Sequence, residues 1–552
     1  MLLQHTHNAL WLVLATGSQC TSAQGLPIID LGISVHQAQL NGGGQFYSFR
    51  NIPYAEPPLG KLRFRNPIPL LSINRTINDG SSPRACLQAS PGWFQYSIPL
   101  VFQKLAERGI FPPPGPPPPG PAGESEDCLV LDVSVPKDVY DARVAGTLLK
   151  KIPVVLWIHG GAYVGGSKDI NAAGFIASSR RNGAPGIVFV SINYRLGLFG
   201  FPPRKPWMLD VASNAGLYDQ RLAMEWVRLN IGRFGGDFQD VTVIGESAGA
   251  GSIVSHITAF LGIDGTSPFN KAIIQSPAIK PFQDATLQAQ LYDQFLAVAG
   301  VTSIADARAQ SSAELATANA IMVGTAPFAS SVFGPNVDGV FTRDHPGKLL
   351  AAGQVDKQVK AIVAHNLDEG LLFTDPRITD EAGFKAYLAG LMPSLPAAKI
   401  NVLASQIYPP DFSGTVLPYT DQIGRTKLAI SEGLINCFSF GTNLAYANQS
   451  RSYQFSAFPG LHATDVSYTF YNAGDVVDGF GVPLSVPTAQ LLQWWLTDFA
   501  ALGYGAGSTA SQIPVYTSLA NVANVTEAGQ HPTVKDPAAN ARCRYWLTGL
   551  TS

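Results

Sequence analysis

Residues 244–249 read Ile244-Gly245-Glu246-Ser247-Ala248-Gly249, a G-x-S-x-G pattern. With 54 glycines in 552 residues, a bare match arises by chance in roughly a third of chains of this make-up. Its setting lends it meaning. The β-branched run Val241-Thr242-Val243-Ile244 precedes it, and the small residues from Ala248 to Ser255 lead from it into a helix. A serine at a sharp strand-to-helix turn carries its hydroxyl outward, and Gly245 and Gly249 remove side chains that would collide there. The helix behind offers free N–H groups to a developing oxyanion. Ser247 is the candidate nucleophile.

Working outward, short apolar runs at 154–158, 187–192, 241–244, 271–274, 359–364 and 452–456 alternate with longer helical stretches. One such stretch spans 219–230, with Leu222, Met224, Trp226, Val227 and Leu229 on a roughly helical period. Buried strands alternating with helices predict an α/β fold: a large, mostly parallel central sheet flanked by helices, with long loop insertions. Function in such sheets gathers at the carboxyl ends of strands. No repeat or linker divides the chain, so one catalytic domain is expected over 24–552.

Composition is consistent with this. Hydrophobic residues make up 46% and charged ones 14%, enough for a large core and unlike a disordered chain. Lys plus Arg (37) nearly balances Asp plus Glu (39), so no charge excess favours nucleic acid or anionic lipid. Residues 1–23 read as a secretory signal cleaved after Ala23, although its start lacks Lys or Arg; its apolar run, Ala9 to Ala15, is too short to span a bilayer. The expectation is a secreted protein without a membrane anchor. Cleavage would remove Cys20 and leave Cys86, Cys128, Cys437 and Cys543, enough for two disulfides. Cys86–Cys128 with Cys437–Cys543 is the preferred pairing, with nested and crossed pairings open. Sequons stand at Asn74, Asn448 and Asn524. The proline-rich stretch 112–121 cannot form helix or central strand. It falls, with the amphipathic residues 101–106, in a surface loop that a Cys86–Cys128 bond would close, either a lid or a static excursion.

A serine hydroxyl needs a base, and the base an orienting acid; on this turn the chain order is Ser, acid, His. Glu369 lies just beyond the run 359–364, with Asp368 and Asp338 as rivals. Of the histidines after Ser247 (His256, His345, His365, His462 and His531), only the last two follow Glu369. His462 follows the run 452–456, whereas His531 sits in a polar tail, so His462 is the candidate base. The loop His159-Gly160-Gly161-Ala162-Tyr163-Val164-Gly165-Gly166-Ser167 follows the run 154–158. The N–H groups of Gly160 and Gly161 can join that of Ala248 as an oxyanion hole. A phosphate loop would need G-x-G-x-x-G or a G-K-[ST] ending, and neither is present. No His/Cys cluster has metal-ligand spacing, so no metal or organic cofactor is expected.

With these residues assembled, the chain resembles the type-B carboxylesterases and lipases, relatives of the cholinesterases in the α/β-hydrolase fold. The likeness runs through 51–58, 62–64, 125–129, 159–167, 193–197, 214–222, 234–237, 245–249, 368–370 and 462–465. It looks most like the fungal secreted members. The resemblance implies a triad of Ser247, Glu369 and His462, a hole of Gly160, Gly161 and Ala248, and Cys86–Cys128 closing the loop that is a lid in the lipases. It also implies that Glu246, Ser276 and Asp465 form a hydrogen-bonded support. Three features depart from the family, the proline-rich stretch 112–121 among them. No cysteine lies between 129 and 436, and the tryptophan that holds choline in cholinesterases has no clear counterpart. The expected reaction is hydrolysis of a small-molecule carboxylic ester through an acyl enzyme; the alternatives are a lipase and a non-catalytic binding protein of the same fold.

Overall fold

The computed structural model describes residues 25–111, 120–281 and 284–550; the expected signal sequence and most of the proline-rich stretch lie outside them. An 11-stranded sheet runs through the molecule. In chain order its strands are β1 (Gln39–Asn41), β2 (Phe46–Pro53), β3 (Val130–Pro136), β4 (Ile152–Ile158), β5 (Val188–Ile192), β6 (Gly236–Glu246), β7 (Lys271–Gln275), β8 (Lys360–Asn366), β9 (Arg451–Phe455), β10 (Asn521–Val525) and β11 (Thr533–Lys535). Their spatial order is β11-β10-β9-β8-β7-β6-β4-β5-β3-β2-β1. From β5 to β10 every pairing is parallel. The pairings of β1, β2, β3 and β11 are antiparallel.

Each apolar run of the sequence is one of the parallel strands, and alternation along them shows why. Leu156, Val243, Ile274 and Val363 enter the core on one face, while Trp157, Ile244, Ile273 and Ile362 enter the core on the other. Such two-sided burial makes a continuous apolar run, each large side chain contributing about 1.5–3 kcal/mol. The run 241–244 is the end of the longer β6, whose pairing with β4 shifts register between Gly236 and Val241.

Among the helices, α1 (Phe94–Ala106), α2 (Ala215–Asn230), α3 (Ala248–Thr258) and α4 (Val486–Leu502) matter most. The expected stripe on α2 needs one correction. Leu217, Gln220, Ala223, Met224 and Val227 face inward, whereas Leu229 is 75% exposed. Buried ion pairs anchor the loops around the strand ends: Arg195 grips Asp219 through Nε and Nη2 (2.8 and 2.7 Å), and Arg63 grips Glu126 (2.8 and 2.6 Å).

Both preferred disulfides are present, Cys86–Cys128 and Cys437–Cys543. Inside the first, the amphipathic residues 101–106 are the second half of α1, which buries Val101 and Leu105 against Leu371, Leu372, Phe458 and Leu461. Asn74 and Asn448 are exposed. Asn524 is half-buried on β10, its Oδ1 accepting from Ser456 Oγ at 2.5 Å.

Candidate active site

Ser247 sits between the end of β6 and the start of α3 with φ 57° and ψ −122°, a conformation that costs an L-residue about 1–3 kcal/mol. Close packing holds it there. A Cβ on Gly249 would lie 2.0 Å from Ile158 O, and one on Gly245 would lie 2.7 Å from the Gly249 carbonyl carbon. Only glycine allows β4, β6 and α3 to meet this tightly.

The strand ends bring the other predicted residues to Ser247. His462 follows β9, and its Nε2 lies 2.8 Å from Ser247 Oγ. Its Nδ1 lies 2.6 Å from Glu369 Oε2, just past β8. With Nδ1–H donating to the carboxylate, Nε2 carries a lone pair that can accept a proton from the serine hydroxyl. The rivals are engaged elsewhere. Asp368 pairs with Lys427 (2.9 Å) and Asp338 accepts from Asn214 (2.9 Å). His256 meets Gln220, His345 meets Lys280 O, His365 meets Asp536, and the ring of His531 packs edge-on against Trp495.

Glu369 is fully buried, and its Oε1 accepts from Ser276 Oγ (2.6 Å) and the Asn366 N–H (2.5 Å). Burial pushes this carboxyl up, yet the imidazole and these donors together hold it below the ordinary glutamate value. Burial pushes His462 down, but the carboxylates of Glu246 and Glu369 overcome it and raise it to about 9. Glu246 Oε1 lies 3.4 Å from His462 Nε2 and has no hydrogen-bond partner among the described residues; burial raises this acid to about 8. Asp465, raised to about 6 by burial, accepts from Asn366 Nδ2 (3.2 Å) and Gln275 Nε2 (3.0 Å). It therefore reaches Glu369 through Asn366, whose Nδ2 also donates to Ser276 Oγ (3.1 Å).

Sequence reasoning missed Asn366 and Gln275. Each is the last residue of a parallel strand, β8 and β7, the position where sheets of this kind place function. It also missed Phe373, whose ring packs edge-on to His462 with centroids 5.2 Å apart.

The glycine loop after β4 reaches the same place. A Cβ on Gly160 would lie 3.0 Å from Ser247 Cβ, so this backbone touches the serine. Gly161 has φ +101°, and a Cβ there would lie 2.2 Å from Gly165 O. The backbone N–H groups of Gly160, Gly161 and Ala248 have no acceptor among the described residues. Unpaired N–H groups beside a buried serine can receive negative charge.

The profile described as "Carboxylesterase family" matches residues 31–407. The chain is 35% identical to carboxylesterase patB of Penicillium expansum, over 97% of this chain and 98% of that protein. It is 30% identical to lipase 5 of Diutina rugosa, over 95% and 97% of the two chains. Among solved structures it matches Aspergillus niger EstA with a TM-score of 0.76 at 23% identity, covering 95% of this chain and 98% of that one. That last likeness concerns the fold alone. Sheet, glycine loops and sequence relatives agree: the chain belongs to the carboxylesterase family and is a carboxylic ester hydrolase of the α/β-hydrolase fold.

Proposed function

We propose that this protein is a secreted serine esterase that hydrolyses small-molecule carboxylic esters through Ser247, His462 and Glu369. The observation that carries the reading is the hydrogen-bonded line from Ser247 Oγ through His462 to Glu369, beside three N–H groups that have no acceptor among the described residues. His462 Nε2 takes the serine proton as Oγ attacks the ester carbonyl, and Glu369 stabilises the resulting imidazolium. Gly160, Gly161 and Ala248 bind the oxyanion; each such donor is worth about 3–4 kcal/mol. His462 then protonates the leaving alcohol and activates water to release the acyl group. Glu246, Ser276 and Asp465 hold the acid and base in register.

Two disulfides and the exposed sequons Asn74 and Asn448 support export, with one catalytic unit after the leader. Among the described residues no helix is long and apolar enough to cross a membrane. The test is hydrolysis of p-nitrophenyl esters from acetate to palmitate, with Ser247→Ala as the blank. A maximum at short acyl chains that vanishes in the variant supports an esterase; retained activity in Ser247→Ala refutes the mechanism.

A lipase is the second reading. The loop closed by Cys86–Cys128 lays α1 on Leu371 and Phe458 beside the site and leaves Phe94, Phe102 and Phe111 exposed. A maximum at long chains with activation at an oil–water interface would favour it.

A further inference from the structure

The described residues contain three π-helical turns, at Leu403–Ile407, Glu432–Asn436 and Tyr545–Gly549, and all three border one buried node. At its centre is Glu432, 2% exposed. It accepts from Tyr408 OH (2.5 Å), Asn540 Nδ2 (3.0 Å), and Arg542 through Nε (2.8 Å) and Nη2 (2.5 Å). Tyr408 OH in turn accepts from Trp546 Nε1 at 2.7 Å. Trp546 lies flush on the middle turn, because a Cβ on Gly433 would lie 2.8 Å from its ring. One residue past that turn, Cys437 is bonded to Cys543. Residues 540–546 are thus attached to the turn by a charge-assisted fork, a ring and a covalent bond.

The turn itself points at the active site. It interrupts a long helix between Gln422–Ser431 and Cys437–Ala445. A π turn takes carbonyls out of the regular ladder, and such turns recur at functional sites. Here Leu434 O accepts from the Ile279 N–H at 3.0 Å, and the neighbouring Ala278 N–H donates to Ser247 O at 3.1 Å. The preceding helix bears on the acid: a Cβ on Gly370, next to Glu369, would lie 2.1 Å from Lys427 O and 3.0 Å from Ser431 Cβ. Lys427 Nζ also holds Asp368 at 2.9 Å. One helix therefore touches the backbone beside both the serine and the acid.

We infer that residues 540–546 form a clamp that sets the register of Ser247 and Glu369 through the turn Glu432–Asn436, with Glu432 and Arg542 as positioning residues. Neither touches the reacting atoms. Their effect is on placement, where an error of about 1 Å costs up to a hundredfold in rate.

This inference rests on the proposed Ser247–His462–Glu369 mechanism, and the experiment separates the two. Steady-state kinetics on p-nitrophenyl butyrate are measured from pH 5 to 10 for wild type, Glu432→Gln, Arg542→Gln, Arg542→Lys and Ser247→Ala, with thermal midpoints alongside. The clamp predicts that kcat falls about tenfold or more in the Gln variants, with KM within about twofold. It also predicts that the acid limb of kcat/KM moves to lower pH, because a displaced Glu369 supports the imidazolium less. Arg542→Lys, which keeps the charge, falls between. Lowered thermal midpoints with unchanged kcat and an unmoved acid limb would make the node structural only and overturn the inference. Should the Gln variants not fold, Arg542→Lys decides by the same two readouts. An active Ser247→Ala sinks the mechanism; an inactive one beside unaltered clamp variants sinks the clamp alone.

Discussion

Replacing Gly160 with alanine tests the glycine loop with a single methyl group. The new Cβ would stand 2.9 Å from Glu246 O, 3.0 Å from Ser247 Cβ and 3.1 Å from Glu246 Oε2. Comfortable carbon–carbon contacts lie at about 3.5–4.0 Å, so loop and serine must separate by about half an ångström. The serine side has little room to move, since Gly249 is pressed on Ile158 O and Gly245 on Gly249. The loop yields instead and carries the Gly160 and Gly161 N–H groups away from the carbonyl that Ser247 is proposed to attack. A misplacement of about 1 Å costs about a hundredfold, so half of that implies a loss of roughly tenfold or more, about 1.4–2.8 kcal/mol of barrier. The loss is expected in kcat with little change in KM, because the donors act on charge that develops only in the transition state. The assay is steady-state hydrolysis of p-nitrophenyl butyrate, with active-site titration by an organophosphate to count competent serines. Full titration and wild-type kcat in Gly160→Ala would refute the assignment of this loop to the oxyanion.

Ser276→Ala removes a 2.6 Å hydrogen bond to the Glu369 carboxylate, worth about 1.5–3 kcal/mol for a charged acceptor, and kcat should fall about tenfold; unchanged turnover removes Ser276 from the mechanism. Asp465→Asn sets an amide where Asn366 and Gln275 both donate, and a kinetic profile like wild type would exclude a supporting role. Because His462 is raised above its ordinary 6.5, esterase activity should rise with pH along a limb whose midpoint exceeds 6.5. Stability runs the other way: the imidazolium's contribution is full below 6.5 and is lost as pH rises toward about 9, which denaturation midpoints across that window would register. Converting Cys86 and Cys128 to alanine should cost about 4 kcal/mol of stability by loop entropy, read from a urea midpoint. If the loop is a lid, the preferred acyl length should shift in the same variant; an unchanged preference would mark it as static.

Much was legible in the sequence because it is local chemistry. The buried parallel strands announce themselves as apolar runs, since both faces of each must be covered. The glycines around Ser247 and in 159–167 are legible because only glycine permits the approaches seen there, and the pairings Cys86–Cys128 and Cys437–Cys543 were the preferred ones. Strands β1–β3, β10 and β11 were not read: β1 and β11 are short, exposed or half-buried edge strands, and β2, β3 and β10, though mostly buried, mix polar residues into the run, which blurs the signal a continuous apolar strand gives. On α2, Leu229 followed the helical period yet lies exposed, since period alone does not say which face meets the core. Asn366, Gln275 and Phe373 were also missed: Asn366 reaches Glu369, Gln275 reaches Asp465 and Phe373 packs on His462 only once the chain is folded. The node of Glu432, Arg542 and Trp546 joins residues more than a hundred positions apart in a carboxylate–guanidinium fork that leaves no periodic trace. The sequence by itself determined the strand–turn–helix setting of Ser247 and the chain order of Ser247, Glu369 and His462 that the proposed mechanism uses. Only the tertiary structure decided which carboxylates gather around one imidazole, and hence which way its proton affinity moves, because those are effects of distance and burial rather than of neighbours along the chain.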